Sequence, residues 1–120
     1  MLYGEWLSEG THINAVGSNA LSRTELDTVT IRRADSVVAD SVEQCQMEAG
    51  DFAAALEQGI LHFSRVHELA DVIAGRRTGR ATPESITLFK SVGLAIEDLA
   101  VAARVLAKAR EGGIGRKLPW

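Results

Sequence analysis

Short β-branched apolar runs, separated by capped helical stretches, set the architecture open to this chain. Thr11-His12-Ile13-Asn14-Ala15-Val16 alternates imperfectly and stops at Gly17, which reads as a short strand leading into a loop. Ser36-Val37-Val38-Ala39 reads as a buried strand ending at Asp40, and Ile86-Thr87-Leu88-Phe89 as a last strand. Between them lie helix signals. Thr24 or Asp27 caps a helix that runs to about Arg33, with Arg32 and Arg33 suited to its C-terminal end. Ser41 caps a helix over residues 42–49, with Gln44 near the position of a capping box, and Gly50 breaks it. Asp51 caps a further helix over 52–58, closed by Gly59. Val66, Leu69, Ala70 and Ile73 recur at spacings of three and four, which predicts a helix over 66–74.

Strands alternating with helices indicate an α/β layered fold. Three strands alone would give a small sheet exposed at both edges, which implies that further structure belongs to it. The clearest element comes last. Val92, Ile96, Leu99, Ala103 and Leu106 form one apolar stripe, with Glu97 and Asp98 near the start of the helix and Arg104, Lys108 and Arg110 near its end. These charges complement the helix dipole, and Gly112-Gly113 stops the helix.

Composition narrows the function classes. A chain with 46% hydrophobic and 24% charged residues is not a disordered one. A formal net charge of -3 argues against nucleic acid as a partner. The only cysteine, Cys45, excludes an internal disulfide and fits a reducing, cytoplasmic setting. No apolar window is long enough to span a membrane, and Met1 to Trp6 does not read as a secretory leader. His12, His62 and His67 lack metal-ligand spacing, and Cys45 reads as a small, semi-buried hydrophobe. Arg76, Arg77 and Arg80 read as a solvated basic loop.

The candidate site is the loop after the first strand. Loops at the C-terminal ends of strands are where open α/β sheets bind ligands. Gly17 lets the backbone pass close to a flat ring, Asn19 offers a side-chain donor and acceptor, and Arg23 adds a positive charge. Blander readings compete: Gly17 as a tight turn, Asn19 as a turn residue or cap, Arg23 as a solvated charge, and Ser91 as the cap of a helix starting at Val92.

Four stretches together carry a family resemblance: Gly4-Glu5-Trp6-Leu7 with the run Gly10 to Asn19; Arg23-Thr24-Glu25-Leu26-Asp27; Ala34 to Ser41 ahead of Glu48-Ala49-Gly50-Asp51; and Ile86-Thr87-Leu88-Phe89-Lys90-Ser91-Val92-Gly93 running on to Ala100. In this order they resemble the C-terminal third of the ornithine cyclodeaminase/mu-crystallin family. The resemblance implies a partial Rossmann-like parallel sheet over residues 1–90, the second half of an NAD(P)-binding domain. It also implies that residues 91–120 form a helix returning toward a substrate and dimerisation domain. The implied cofactor is NAD or NADP, the substrate an amino or imino acid, and the assembly a homodimer.

By the same resemblance Asn14, Ala15, Val16 and Gly17 line the nicotinamide, Arg23 and Ser91 stand near the cofactor, and Val92 faces substrate. Lys90 reads as solvated. Asn19 takes the place of the family's acid/base aspartate, so it is the implied catalytic position. An amide cannot relay a proton as a carboxylate does, which turns the expectation from cyclodeamination toward imine reduction or amino-acid dehydrogenation. Leu21 stands where the family often has a proline. The Gly-x-Gly-x-x-Gly fingerprint does not occur, so the expected phosphate grip lies upstream, and a truncated, split or mis-started gene is the expectation. The alternative is a non-catalytic module that folds or dimerises through its C-terminal helix.

Overall fold

The structure is a computed structural model that describes residues 1–116, 118 and 119. Lys117 and Trp120 lie outside the described residues, so the C-terminal segment expected over 91–120 is followed only in part. Four strands form the sheet: β1 (His12–Ala15), β2 (Ser36–Ala39), β3 (Val66–Glu68) and β4 (Thr87–Lys90). Their order is β1-β4-β2-β3 and every pairing is parallel. Among the described residues five α-helices accompany them, besides short 3-10 turns at Gly4–Trp6 and Phe63–Arg65: α1 (Thr28–Arg33), α2 (Val42–Glu48), α3 (Gly50–Glu57), α4 (Leu69–Ile73) and α5 (Ala95–Glu111).

One expected element changes type at its start. Val66-His67-Glu68 is a strand, and only Leu69 to Ile73 is helical. The apolar spacing of 66, 69, 70 and 73 imitates one helix because the strand passes into α4 with no loop between. Val66 is paired in register with Val37, so the sheet takes what local periodicity assigned to the helix. The fourth strand makes the sheet larger than the three expected.

The caps follow local chemistry where a side chain is within reach. Asp27 accepts from Thr30 N and starts α1, and Ser41 accepts from Gln44 N and starts α2. The Gln44 side chain bonds Glu48 instead of closing a capping box. Asp51 does not cap a helix: α3 already begins at Gly50, and the Asp51 carboxylate accepts from the backbone N–H groups of Glu25 and Leu26. Ser91 does not cap a helix at Val92 either. Helix α5 begins at Ala95, and Ser91 donates to Asp40.

Register divides the sheet into two unlike faces, because residues paired in a parallel ladder share a side. Ile13, Leu88 and Val37 stand in one row and Ala15, Lys90 and Ala39 in the next. That face is packed: Ile13, Ala15, Val37, Ala39 and Leu88 join Ile31, Phe52, Ala55 and Leu61 in the core, where α1 and α3 lie against each other. The opposite face carries His12, Asn14, Val38, Thr87 and Phe89. These residues line an open cavity of about 520 Å³ with Leu69 and Val72 of α4. Parallel sheets are ordinarily covered on both faces, and here the second cover is thin. Among the described residues β1 pairs only with β4, so its other edge is open. No described helix is long and apolar enough to cross a membrane.

Candidate functional site

The loop after β1 lies at the C-terminal ends of β1 and β4. Ala15 is paired with Lys90, and Ser91 N donates to the Ala15 carbonyl at 3.0 Å. In an open parallel sheet this is the end that receives ligands. Val16, Gly17, Asn19 and Arg23 are exposed there. Asn14 is also exposed, but one residue back, on the thinly covered sheet face. Ala15 is buried in the core and offers only its backbone, whose carbonyl is already taken by Ser91. Val92 is buried as well, with its side chain in the core and its N–H donated to Asp40 at 2.9 Å.

The expected solvated Lys90 is corrected by the structure. Its side chain is 0% exposed. Lying in the same row as Ala15 and Ala39, it points into the packed side beneath the loop. The ammonium stands 2.9 Å from Asp51 Oδ2 and 3.7 Å from Glu25 Oε1, and donates to the Ser18 carbonyl at 2.5 Å. A buried lysine is tolerated only when paired in this way. Lys90 is also the next inward position after Leu88 in the alternation of the strand, a signal that places it inside despite its charge.

Glu25 completes the clamp, since Gly17 N donates to both carboxylate oxygens, at 3.0 and 3.2 Å. A Cβ at Gly17 would fall 2.5 Å from Glu25 Oε2, so a side chain there would push that carboxylate out of the clamp. Ser18 donates to the Arg23 carbonyl at 2.6 Å, which closes the loop on itself. Gly50, first residue of α3, lets the carbonyls of Ala20, Leu21 and Arg23 approach so closely that any Cβ there would overlap all three. Backbone and side chain therefore hold the underside of the loop, and Asn19 projects from its outer surface.

Asp40 organises the neighbouring turn. Its Oδ2 accepts from Ser91 Oγ at 2.7 Å, Val92 N at 2.9 Å and Gly93 N at 3.0 Å, while Oδ1 accepts from Ser41 N. The Ser91 hydroxyl proton is thus committed, and its oxygen already accepts from Gly93 N at 3.2 Å, which leaves one further lone pair as an acceptor. The basic loop is also engaged: Arg76 pairs with Asp71 at 2.7 Å, and Arg80 donates to the Ser85 carbonyl and to Thr87 Oγ1. Reading residues by type alone missed Lys90, Glu25, Asp51 and Asp40 as builders of this site. Each acts on groups far from it in sequence, 72 residues away for Lys90 and Ser18.

Comparison with known proteins identifies relatives of this chain. The ornithine cyclodeaminase/mu-crystallin family pattern matches residues 1–113. The Delta(1)-pyrroline-2-carboxylate reductase of Bacillus cereus is 40% identical over 120 residues, spanning 99% of this chain and 37% of that protein. The solved Thermococcus litoralis Delta(1)-pyrroline-2-carboxylate reductase, in complex with NADH and L-proline, is 42% identical. It superposes with a TM-score of 0.85 over 98% of this chain and 36% of its own. An archaeal alanine dehydrogenase dimer with bound NAD is 38% identical, with a TM-score of 0.79 over 100% of this chain and 37% of its own. The chain therefore spans a little over a third of the length of these relatives. With the family pattern running through residues 1–113 and 98% of the chain superposing on a solved relative, this chain belongs to the ornithine cyclodeaminase/mu-crystallin family.

Proposed function

We propose that this chain is the nicotinamide-side portion of an NAD(P)H-dependent reductase acting on a C=N bond beside a carboxylate, or of the amino-acid dehydrogenase that runs the same chemistry in reverse. One observation carries the reading: the loop 16–23 stands, clamped from beneath, at the ligand-binding end of the parallel strands, with Asn19 exposed on its outer side. The names of the relatives, pyrroline-2-carboxylate reductase and alanine dehydrogenase, support the substrate class.

The residues present fit the nicotinamide end of the cofactor. Val16 offers an exposed apolar side chain at the strand end, and Asn19 and the Ser91 oxygen offer hydrogen-bonding partners beside it. The phosphate end has no counterpart in the sequence, because no glycine fingerprint occurs in these 120 residues. When bound, NAD(P)H supplies a hydride to the imine carbon, while a proton reaches the nitrogen and an amine results. Asn19 takes no part in that proton's transfer as an acid, since an amide does not ionise. It orients the substrate carboxylate, the nitrogen or a water by hydrogen bonding. The same residue argues against cyclodeamination, for which a carboxylate at this position would be the proton relay. In this reading residues 1–90 form the second half of the dinucleotide-binding domain, and α5 runs toward a substrate and dimerisation domain. Exposed Ile96 and Leu99 on α5 support that role and the homodimer with it.

Reduced nicotinamide mononucleotide tests the proposal without the missing phosphate grip. Titrated at millimolar concentration into the labelled protein, it is expected to shift the amide resonances of Val16, Asn19 and Ser91. Shifts confined to the N-terminal ends of the strands, or none at all, would overturn it.

A further inference from the structure

We propose that Lys90 is the positioning residue of the site loop: its buried ammonium fixes the backbone that presents Asn19. The inference deepens the functional reading above and rests on it for the identity of the site. Among the described residues Lys90 is the one fully buried cation, with its side chain 0% exposed. A long charged side chain costs free energy to bury, and an apolar residue in that row would pack against Ala15 and Ala39 without that cost. What the charge does instead is visible in its partners.

The Ser18 carbonyl, 2.5 Å away, belongs to the residue directly before Asn19. Glu25, 3.7 Å away, holds the N–H of Gly17, the residue before that. Asp51, 2.9 Å away, holds the N–H groups of Glu25 and Leu26, where the loop rejoins the fold. The three partners thus grip the loop just before its tip and again where it ends. Asp51 and Glu25 also supply the opposite charge that a buried ammonium needs beside it. The arrangement spans strand β4, helix α3 and the loop, so the position of Asn19 is set by the rigid body of the domain rather than by the loop's own turn chemistry. A catalytic or orienting group must be held to within a fraction of an ångström to be useful, and this cluster supplies that constraint.

The experiment measures loop order residue by residue in the labelled protein. Lys90→Met alone leaves Asp51 buried without its partner, so the informative variant is Lys90→Met with Asp51→Asn, which removes both charges and keeps an acceptor for Glu25 and Leu26. Expected is a fall of the ¹H–¹⁵N nuclear Overhauser effect at Gly17, Ser18 and Asn19, with Gly17 amide exchange about tenfold faster or more, while Leu88 stays as protected as in the parent. Ile31→Val, a core control that weakens the whole fold, is expected to leave the loop ordered relative to Leu88. A folded double variant whose loop is as ordered as the parent's would overturn the proposal. Should the double variant not fold, the unaltered protein decides. A slowly exchanging Lys90 ammonium resonance coupled across a hydrogen bond to the Ser18 carbonyl is expected, and its absence would overturn the proposal. The mononucleotide titration is read separately. If the parent binds none, the functional reading fails while the loop-order result still judges Lys90.

Discussion

Cys45 is a free thiol and is 1% exposed. Burial is the main cause that pushes its pKa up, to about 12 from 9.0. Asp40 reinforces the shift and Lys90 opposes it. Such a thiol is inert, so labelling by a disulfide reagent at mildly alkaline pH is expected to proceed only as fast as the protein opens. The folded state holds this proton more tightly than the unfolded chain does. The thiol therefore stabilises the fold fully below pH 9.0, and that contribution is lost progressively as the pH rises toward 12. Denaturant titrations of the parent and of Cys45→Ala across that range are expected to show the extra alkaline loss in the parent alone. The sequence made the small hydrophobe legible because cysteine is among the most often buried residue types. The same statistics hid Lys90, since lysine is usually at the surface and its partners are remote in sequence. Only the strand alternation with Leu88 pointed inward, and residue-type habit overrode it.

Among the elements, the helix starts show how far local chemistry reaches. Asp27 and Ser41 were readable as caps because their partners lie three residues on. Asp51 and Ser91 have the right chemistry for caps, but they serve groups 26 and 51 residues away, which no local pattern encodes. Asp27 does more than cap α1, because it also accepts from Thr30 Oγ1 and from Gly4 N. Burial would raise its pKa, but the hydrogen bonds from Thr30 and Gly4 outweigh this and hold it below the ordinary 3.8. The ionised form is therefore favoured by folding. This contribution is present above the ordinary value and lost as the pH falls through the lowered one. Asp27→Ala is expected to cost about 1–2 kcal/mol near neutral pH by urea denaturation, with the gap between the two proteins narrowing once the pH drops below 3.8. Strand β3 marks the opposite limit. With three residues and no break before α4, it offers too little sequence to show a period of two.

For the molecule as a whole, the apolar residues divide into two populations that hydropathy alone does not separate. Leu88 is buried at the centre of the sheet, whereas Ile96 and Leu99 on α5 are 69% and 67% exposed, and no residue of α5 is buried. Of the stripe read from the sequence, Ile96, Leu99, Ala103 and Leu106 lie on α5, whereas Val92 precedes the helix and is buried in the core; periodicity says only that a face exists and not what covers it. Leu88→Ala is expected to cost about 2–5 kcal/mol, while Ile96→Ala and Leu99→Ala are expected to stay within about 0.5 kcal/mol of the parent, all by chemical denaturation of the 120-residue chain. A large loss from either α5 substitution would mean that the helix folds back onto the sheet.

The strand order has a consequence for how the chain reaches this state. β4 is the last strand made, yet it lies between β1 and β2 and bonds to both. As these residues are made, β2 can pair with β3 early, but the bonds between β1 and β4 wait until residues 87–90 arrive, some 75 positions after β1 begins. Closing so long a loop carries an entropic cost before any contact rewards it, which makes assembly slow. Through that interval the edge of β1 that β4 will take stays unpaired, and shielding that edge is the service a chaperone would render here.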